Sequence, residues 1–153
     1  PFCERVFISC NESQAITIDD GYHFIKDDPA FSNMGPMAAL LTVFNKFPKK
    51  NILFTGCDYP FLTVDELQRF LDGFGNELSG FYNAKADVYE PMLALYPASL
   101  VEQLRNMYEA HQFSLQHFLK DQQAAKYLPK DKKTMISVDT HEGFVDARIW
   151  ISR

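Results

Sequence analysis

The chain has 153 residues, 46% hydrophobic and 14% aromatic, with a formal net charge of −5 from 20 acidic and 15 basic side chains. This composition excludes a disordered tail, a collagen-like repeat and a low-complexity linker, and predicts one domain over residues 1–153 that buries roughly 68–70% of its unfolded surface. No basic run suits a phosphate backbone or an anionic membrane, and the longest purely apolar run, Met37 to Leu41, falls far short of the ~20 residues of a membrane span, so nucleic acid and membrane are not expected as partners.

The N-terminus lacks a signal-peptide pattern, and Cys3, Cys10 and Cys57 have neither CxxC nor metal-ligand spacing, so a cytoplasmic protein with reduced thiols is expected. The chain opens at Pro1 rather than at Met, and Phe2 to Cys10 already reads as a strand, which suggests an N-terminally incomplete domain. Arg5 to Cys10 is apolar and β-branched, and it ends at the polar cluster Asn11, Glu12, Ser13, read as a loop. Tyr22 to Ile25 is the second predicted strand, halted by Lys26, Asp27, Asp28 and Pro29. From Pro36 the apolar residues Met37, Leu40, Leu41, Phe44 and Phe47 recur at helical spacing, with Pro36 suited to a first turn where its missing N–H costs nothing.

Asn51 to Thr55 predicts a third strand, apolar on both faces as in a sheet covered by helices. Thr63 and Glu66 form a capping-box pattern before a helix whose buried stripe is Val64, Leu67, Phe70, Leu71 and Phe74, closed by Gly73 and Gly75. Ser79 to Tyr82 and Met92 to Tyr96 read as strands joined by the polar loop Asn83 to Glu90. Two helices follow, Ala98 to His111 and Ser114 to about Lys126, and then a charged link, Lys130 to Lys133, leads to Met135–Val138 and Phe144–Ile151. The alternation of strands with helices predicts an α/β fold, with a mainly parallel sheet carrying helices on both faces in a Rossmann-like arrangement.

Ligands in such sheets bind beyond the carboxyl ends of the strands, where Asn11, Asp27 and Asp58 fall. Asp58, between Gly56 and Pro60, suits Mg²⁺, which takes one or two carboxylates and completes its shell with water and phosphate oxygens; an Asp accepting local turn hydrogen bonds is the plainer alternative. Asp27 or Asp28 could add a ligand or hold a ribose hydroxyl, or simply line a solvated loop. Asn33 to Pro36 opens a helix whose free N–H groups could face an anion, and Gly35 lets backbone approach a ligand closely. His23, His111, His117 and His141 share no metal-binding spacing. Cys57 lacks a nearby base, and Trp150 is expected in the core.

Taken together, the strings RVFISCNESQ, FIKDD, GPMAALLTVF and NILFTGCDYPFLTVDELQRFL resemble the nucleotidyltransferases that make molybdenum cofactor dinucleotides, the molybdenum cofactor guanylyltransferases, and EPMLALYPASLVEQL extends the likeness to about residues 4–120. The resemblance implies that Ser9 or Asn11 contacts the nucleotide, that Asp27 occupies the nucleotide-binding aspartate position, that Gly35 and Pro36 shape the pocket wall, and that Asp58 is the catalytic residue holding Mg²⁺. It further implies that the terminal phosphate of molybdopterin attacks the α-phosphate of GTP and pyrophosphate leaves, with molybdoenzymes or other cofactor-biosynthesis proteins as partners. Two features depart from the family. Its Gly-rich basic loop, on the first strand, would precede Pro1, so the sheet is expected to lack a central strand; and its C-terminal Asn-x-Asn is matched only by FVDAR, with Asp146 and Arg148. Cytidylyl or sugar-phosphate nucleotidyl transfer on the same fold, and a degenerate domain that binds a nucleotide or partner without catalysis, are the competing readings.

Overall fold

Short apolar segments form the strands, and the computed structural model describes residues 2–31 and 34–151. β1 (Ile8–Cys10) is shorter than the predicted Arg5–Cys10, since Val6 lies outside any strand pairing and is 76% exposed. Asn11 to Ser13 is not a loop. Asn11 caps a single helical turn, α1 (Glu12–Ala15), by accepting from Gln14 N–H at 2.9 Å, while the Gln14 side chain accepts from Asn11 N–H, so both halves of a capping box form. β2 (Phe24–Lys26) pairs in parallel with β1, setting Ser9 opposite Ile25 and Cys10 opposite Lys26. A 3-10 turn over Pro29–Phe31 leads on towards α2 (Pro36–Lys46), which buries Met37, Leu40, Leu41 and Phe44 along the stripe that the spacing predicts.

The remaining strands build a second sheet. β3 (Ile52–Thr55) is followed by α3 (Val64–Phe74), then β4 (Ser79–Asn83) and β5 (Val88–Tyr96). A 3-10 turn at Ala98–Leu100 leads into α4 (Val101–Glu109), and α5 (Leu115–Asp121) precedes β6 (Ala125–Tyr127). The sheet order is β3-β5-β4-β6. β3, β4 and β6 run in one direction and β5 alone runs against them. The reversal follows from a tight connection: β5 begins at Val88, so the predicted loop Asn83–Glu90 shrinks to a turn in which Asn83 Oδ1 accepts from Lys85 N–H at 3.1 Å. So short a turn can join antiparallel neighbours but not parallel ones.

The helix expected from Ser114 to Lys126 stops at Asp121. Gln123 adopts φ +52°, and beyond it Ala125 N–H joins Leu78 O at 2.8 Å, so this stretch becomes an edge strand. The chain closes with a 3-10 turn at Lys132–Met135 and α6 (His141–Ile151). Trp150 is 59% exposed rather than in the core, with the Lys133 ammonium 4.4 Å above its ring.

Helices cover both faces of the larger sheet, as the α/β reading requires. On one face α2, α4 and α5 bury Leu40, Leu104 and Leu119 against Ala94 and Tyr96; on the other, Phe70 of α3 packs with Phe81, Leu93, Leu95 and Tyr127. Among the described residues no strand pairing joins the two sheets. They are linked by side chains instead. Phe7, just before β1, stacks on Phe47 at the end of α2 with ring centroids 5.3 Å apart, and Thr42 of α2 accepts from Asp28 N–H at 2.9 Å. Among the described residues no helix is long and apolar enough to cross a membrane.

Candidate functional site

The parallel register of β1 and β2 makes the first cluster. Asp27 N–H continues the ladder to Cys10 O at 2.9 Å, and the Ser9 hydroxyl donates to Asp27 Oδ1 at 3.2 Å. Ser9 and Asp27 are therefore brought together at the carboxyl end of this pair, both half-buried. The neighbouring candidates are separated by what their atoms already do. Asn11 Oδ1 is occupied as a cap, accepting from Gln14 N–H and from the Ser13 hydroxyl at 2.8 Å. Asp28 is tied into the 3-10 turn, where its Oδ1 accepts from Ala30 N–H at 2.9 Å. Asp27 is thus the better placed of the two aspartates to meet a ligand.

Gly35 precedes α2 at φ +58° and ψ −145°, a conformation open to glycine and strained for other residues. Pro36 takes the first helical position, no side chain caps the helix, and Ala38 N–H pairs with Gly35 O at 3.1 Å. Asn33 lies outside the described residues.

Asp58 forms the second cluster, on the larger sheet. It follows the carboxyl end of β3 in a loop anchored by Gly56 N–H to Met92 O at 2.7 Å and by Val138 N–H to the Asp58 carbonyl at 2.8 Å. Gly56 leaves room for its neighbours here: a Cβ would stand 2.4 Å from Asp58 Oδ1 and 2.9 Å from Tyr59 Cε2, so both side chains would have to shift. The Asp58 side chain is half-buried, and among the described residues no hydrogen bond ends on its carboxylate. That separates it from the turn aspartate of the plainer reading, whose carboxylate would be satisfied locally.

A single open carboxylate fits the magnesium sites that draw most of their shell from water and substrate phosphates. It does not make an all-protein cage, and among the described residues no group of three or more His, Cys, Asp or Glu could hold a metal.

Two residues beside Asp58 escaped the sequence reading. Tyr59, in the loop after Asp58, and Glu90, on β5, lie near enough to influence each other's ionisation. Burial pushes the Glu90 carboxyl above its usual range, and the negative charge of Asp58 adds to the rise, against the influence of the nearby Tyr59. Burial, then Glu90, raise the Tyr59 hydroxyl in turn. A lone charge in the apolar run YEPMLALY was the available signal for Glu90.

A cavity of about 250 Å³ lies elsewhere, between the β4–β5 turn and α5. Several of its polar groups already have partners: the Tyr82 hydroxyl bonds Asp87, the Tyr89 hydroxyl donates to Ala124 O at 2.6 Å, and the Lys126 ammonium sits 3.9 Å over the Tyr82 ring. None of the predicted site residues lines it.

Comparison with known proteins gives a consistent picture. Residues 1–126 match the family described as the MobA-like NTP transferase domain. A molybdenum cofactor guanylyltransferase of Haemophilus influenzae is 27% identical over 123 residues, covering 79% of this chain and 63% of the relative. One from Shewanella sediminis is 29% identical over 77 residues, covering 50% of this chain and 39% of its own. The chain therefore spans less than two thirds of the length of these relatives. Among solved structures, molybdopterin-guanine dinucleotide biosynthesis protein A of Archaeoglobus fulgidus shares the fold at a TM-score of 0.71 and 17% identity, over 95% of this chain and 78% of that one. An Aquifex aeolicus protein does so at 0.73 and 16%, over 90% and 72%.

Proposed function

The chain belongs to the MobA-like NTP transferase family, and on that ground we propose that it takes part in nucleotidyl transfer: GMP moves from GTP to the terminal phosphate of molybdenum-bound molybdopterin, and pyrophosphate leaves. The observation that carries the reading is the Asp58 carboxylate, open to a ligand at the carboxyl end of β3 yet held in a fastened loop. The names of the similar proteins support the substrate pair.

In this reading Asp58 holds Mg²⁺, which when bound neutralises charge on the α-phosphate and on the departing pyrophosphate. The acceptor phosphate is already an anion and needs no strong base, so the protein's part is to position and to neutralise. Asp27, oriented by the Ser9 hydroxyl, accepts from a donor on the nucleotide, with Asn11 beside it and Gly35 and Pro36 forming the wall at the start of α2. The reaction belongs to the cytoplasm, with molybdoenzymes or other cofactor-biosynthesis proteins taking up the product.

The test is dinucleotide formation by the complete protein with GTP, CTP or UTP, molybdopterin and Mg²⁺. GTP is expected to be used best, and Asp58→Ala to lower the rate about a hundredfold or more. An unchanged rate in Asp58→Ala removes Asp58 from the chemistry. Preference for CTP or UTP reassigns the nucleotide, and binding of GTP without turnover by the parent protein leaves a nucleotide-binding module.

A further inference from the structure

Asp27 is held at three points. Its own N–H donates to Cys10 O at 2.9 Å, and the next N–H, that of Asp28, donates to Thr42 Oγ1 on α2 at 2.9 Å. The Ser9 hydroxyl meets the carboxylate itself at 3.2 Å. The first two bonds act on the peptide planes on either side of the Asp27 Cα. Peptide planes are rigid, so holding both sets φ and ψ at this residue, and with them the direction in which its side chain leaves the backbone.

The two main-chain bonds differ in origin. The bond to Cys10 extends the β1–β2 ladder and follows from strand register. The bond to Thr42 does not, because β2 ends at Lys26 and Asp28 has left the sheet. Thr42 is 6% exposed on the apolar face of α2, where the similarly branched Val would pack without a hydroxyl to satisfy. The hydroxyl at this position is therefore explained by what it holds. It ties Asp27 to the helix that begins at Pro36, roughly 9 Å along the axis from Thr42, so one rigid element spaces the aspartate from the Gly35 turn.

Farther along the same segment the Tyr108 hydroxyl of α4 donates to Ala30 O at 2.9 Å, and the Phe31 ring packs edge-on against Tyr108. Those contacts hold the 3-10 turn but touch neither peptide plane flanking Asp27, which makes Tyr108 a control for Thr42.

We propose that Thr42 is a positioning residue: by accepting Asp28 N–H it sets the direction of the Asp27 side chain relative to the start of α2. This role deepens the proposed reading of Asp27 as a nucleotide ligand and rests on it for its effect on GTP, whereas the fastening of the peptide does not.

The test combines amide hydrogen exchange with the GTP dependence of dinucleotide formation by the complete protein. Thr42→Val keeps the branched shape and removes the acceptor, while Thr42→Ser keeps the hydroxyl. Thr42→Val is expected to speed exchange of the Asp28 amide about tenfold with the Phe70 amide of α3 unchanged, and to raise the half-saturating GTP concentration about fivefold with the maximal rate within about twofold. Thr42→Ser and Tyr108→Phe are expected within about twofold of the parent on both readouts.

Unchanged Asp28 exchange in Thr42→Val overturns the proposal, as does Thr42→Ser behaving like Thr42→Val, or Tyr108→Phe raising the GTP requirement as much. If exchange responds and Asp27→Asn raises the half-saturating GTP but Thr42→Val does not, the positioning is overturned while the nucleotide reading of Asp27 survives. If Asp27→Asn leaves the GTP requirement unchanged as well, that reading fails and the fastening of the peptide by Thr42 stands.

Discussion

Two carboxylates flank the α3 face of the sheet and are put to opposite uses. Asp58 is left open, whereas Glu66 is closed off: 2% exposed, it takes the Tyr127 hydroxyl, the Arg69 guanidinium at 2.5 Å and the Lys130 N–H at 3.2 Å. Those bonds explain why only half of the predicted capping box forms. Thr63 accepts from Glu66 N–H at 3.2 Å, but the Glu66 side chain turns inward instead of back to the cap. Burial pushes the Glu66 carboxyl up, and the hydrogen bonds from Tyr127, Arg69 and Lys130 outweigh it and hold it below its ordinary 4.5.

A carboxyl whose pKa is lowered by folding contributes stability above the unfolded value and loses it as pH falls through the folded one. Denaturant midpoints measured from neutral pH downward should therefore decline below about pH 4.5 in the parent and less steeply in Glu66→Gln, which starts about 1–3 kcal/mol less stable near neutrality. Parallel acid limbs in the two proteins would show that Glu66 carries no such linkage.

At the level of elements, Phe70 marks where α3 meets the sheet. It is fully buried, with its ring centroid 5.0 Å from that of Phe81 and 5.3 Å from that of Tyr127. Phe70→Ala should destabilise the protein by about 3–5 kcal/mol in equilibrium unfolding, and a loss below about 1 kcal/mol would mean the cluster closes over the gap. Elements of this kind were legible because helical spacing is a local signal: the stripes of α2 and α3 fall where the apolar residues recur. Strand direction was not legible, because a short apolar run reads the same either way, and only the shortness of the Ala84–Asp87 turn betrays that β5 runs backwards. The edge strand β6 was hidden for a related reason. Ala125 to Tyr127 has no strand-like run of its own and is specified by pairing with Ser79 to Phe81 of β4. The site divides in the same way. Asp58 was visible from its neighbours Gly56 and Pro60, and the Asn11–Gln14 capping box could have been read locally. The Ser9–Asp27 contact needs the β1–β2 register, and Glu90 comes near Asp58 only once β5 pairs with β3.

For the whole molecule, the family match ends at residue 126, yet the residues that follow are fastened both to the backbone of the Asp58 loop and to the buried Glu66 carboxylate. Lys130 N–H reaches Glu66, Met135 packs against the cluster around Phe70, and Val138 N–H holds the Asp58 carbonyl. α6 is attached differently. It buries Ala147, while Phe144, Val145, Ile149, Trp150 and Ile151 are each more than 40% exposed. The segment between β6 and α6 thus acts as a strap across the α3 face, and α6 contributes little to it. Two deletions separate these roles. Removing residues 141–153 should lower the melting temperature by only about 2–4 °C and leave the Asp58 loop fastened. Removing residues 129–153 frees the Asp58 carbonyl, takes a donor from Glu66 and uncovers the Phe70 cluster, and should lower it by about 6–12 °C, in line with a loss of about 3 kcal/mol. Differential scanning calorimetry of the two shortened proteins decides the matter: equal melting temperatures would place the stabilising contacts in α6, and a difference of the expected size places them in the strap, where the geometry of Asp58 and the stability of the sheet depend on the same few hydrogen bonds.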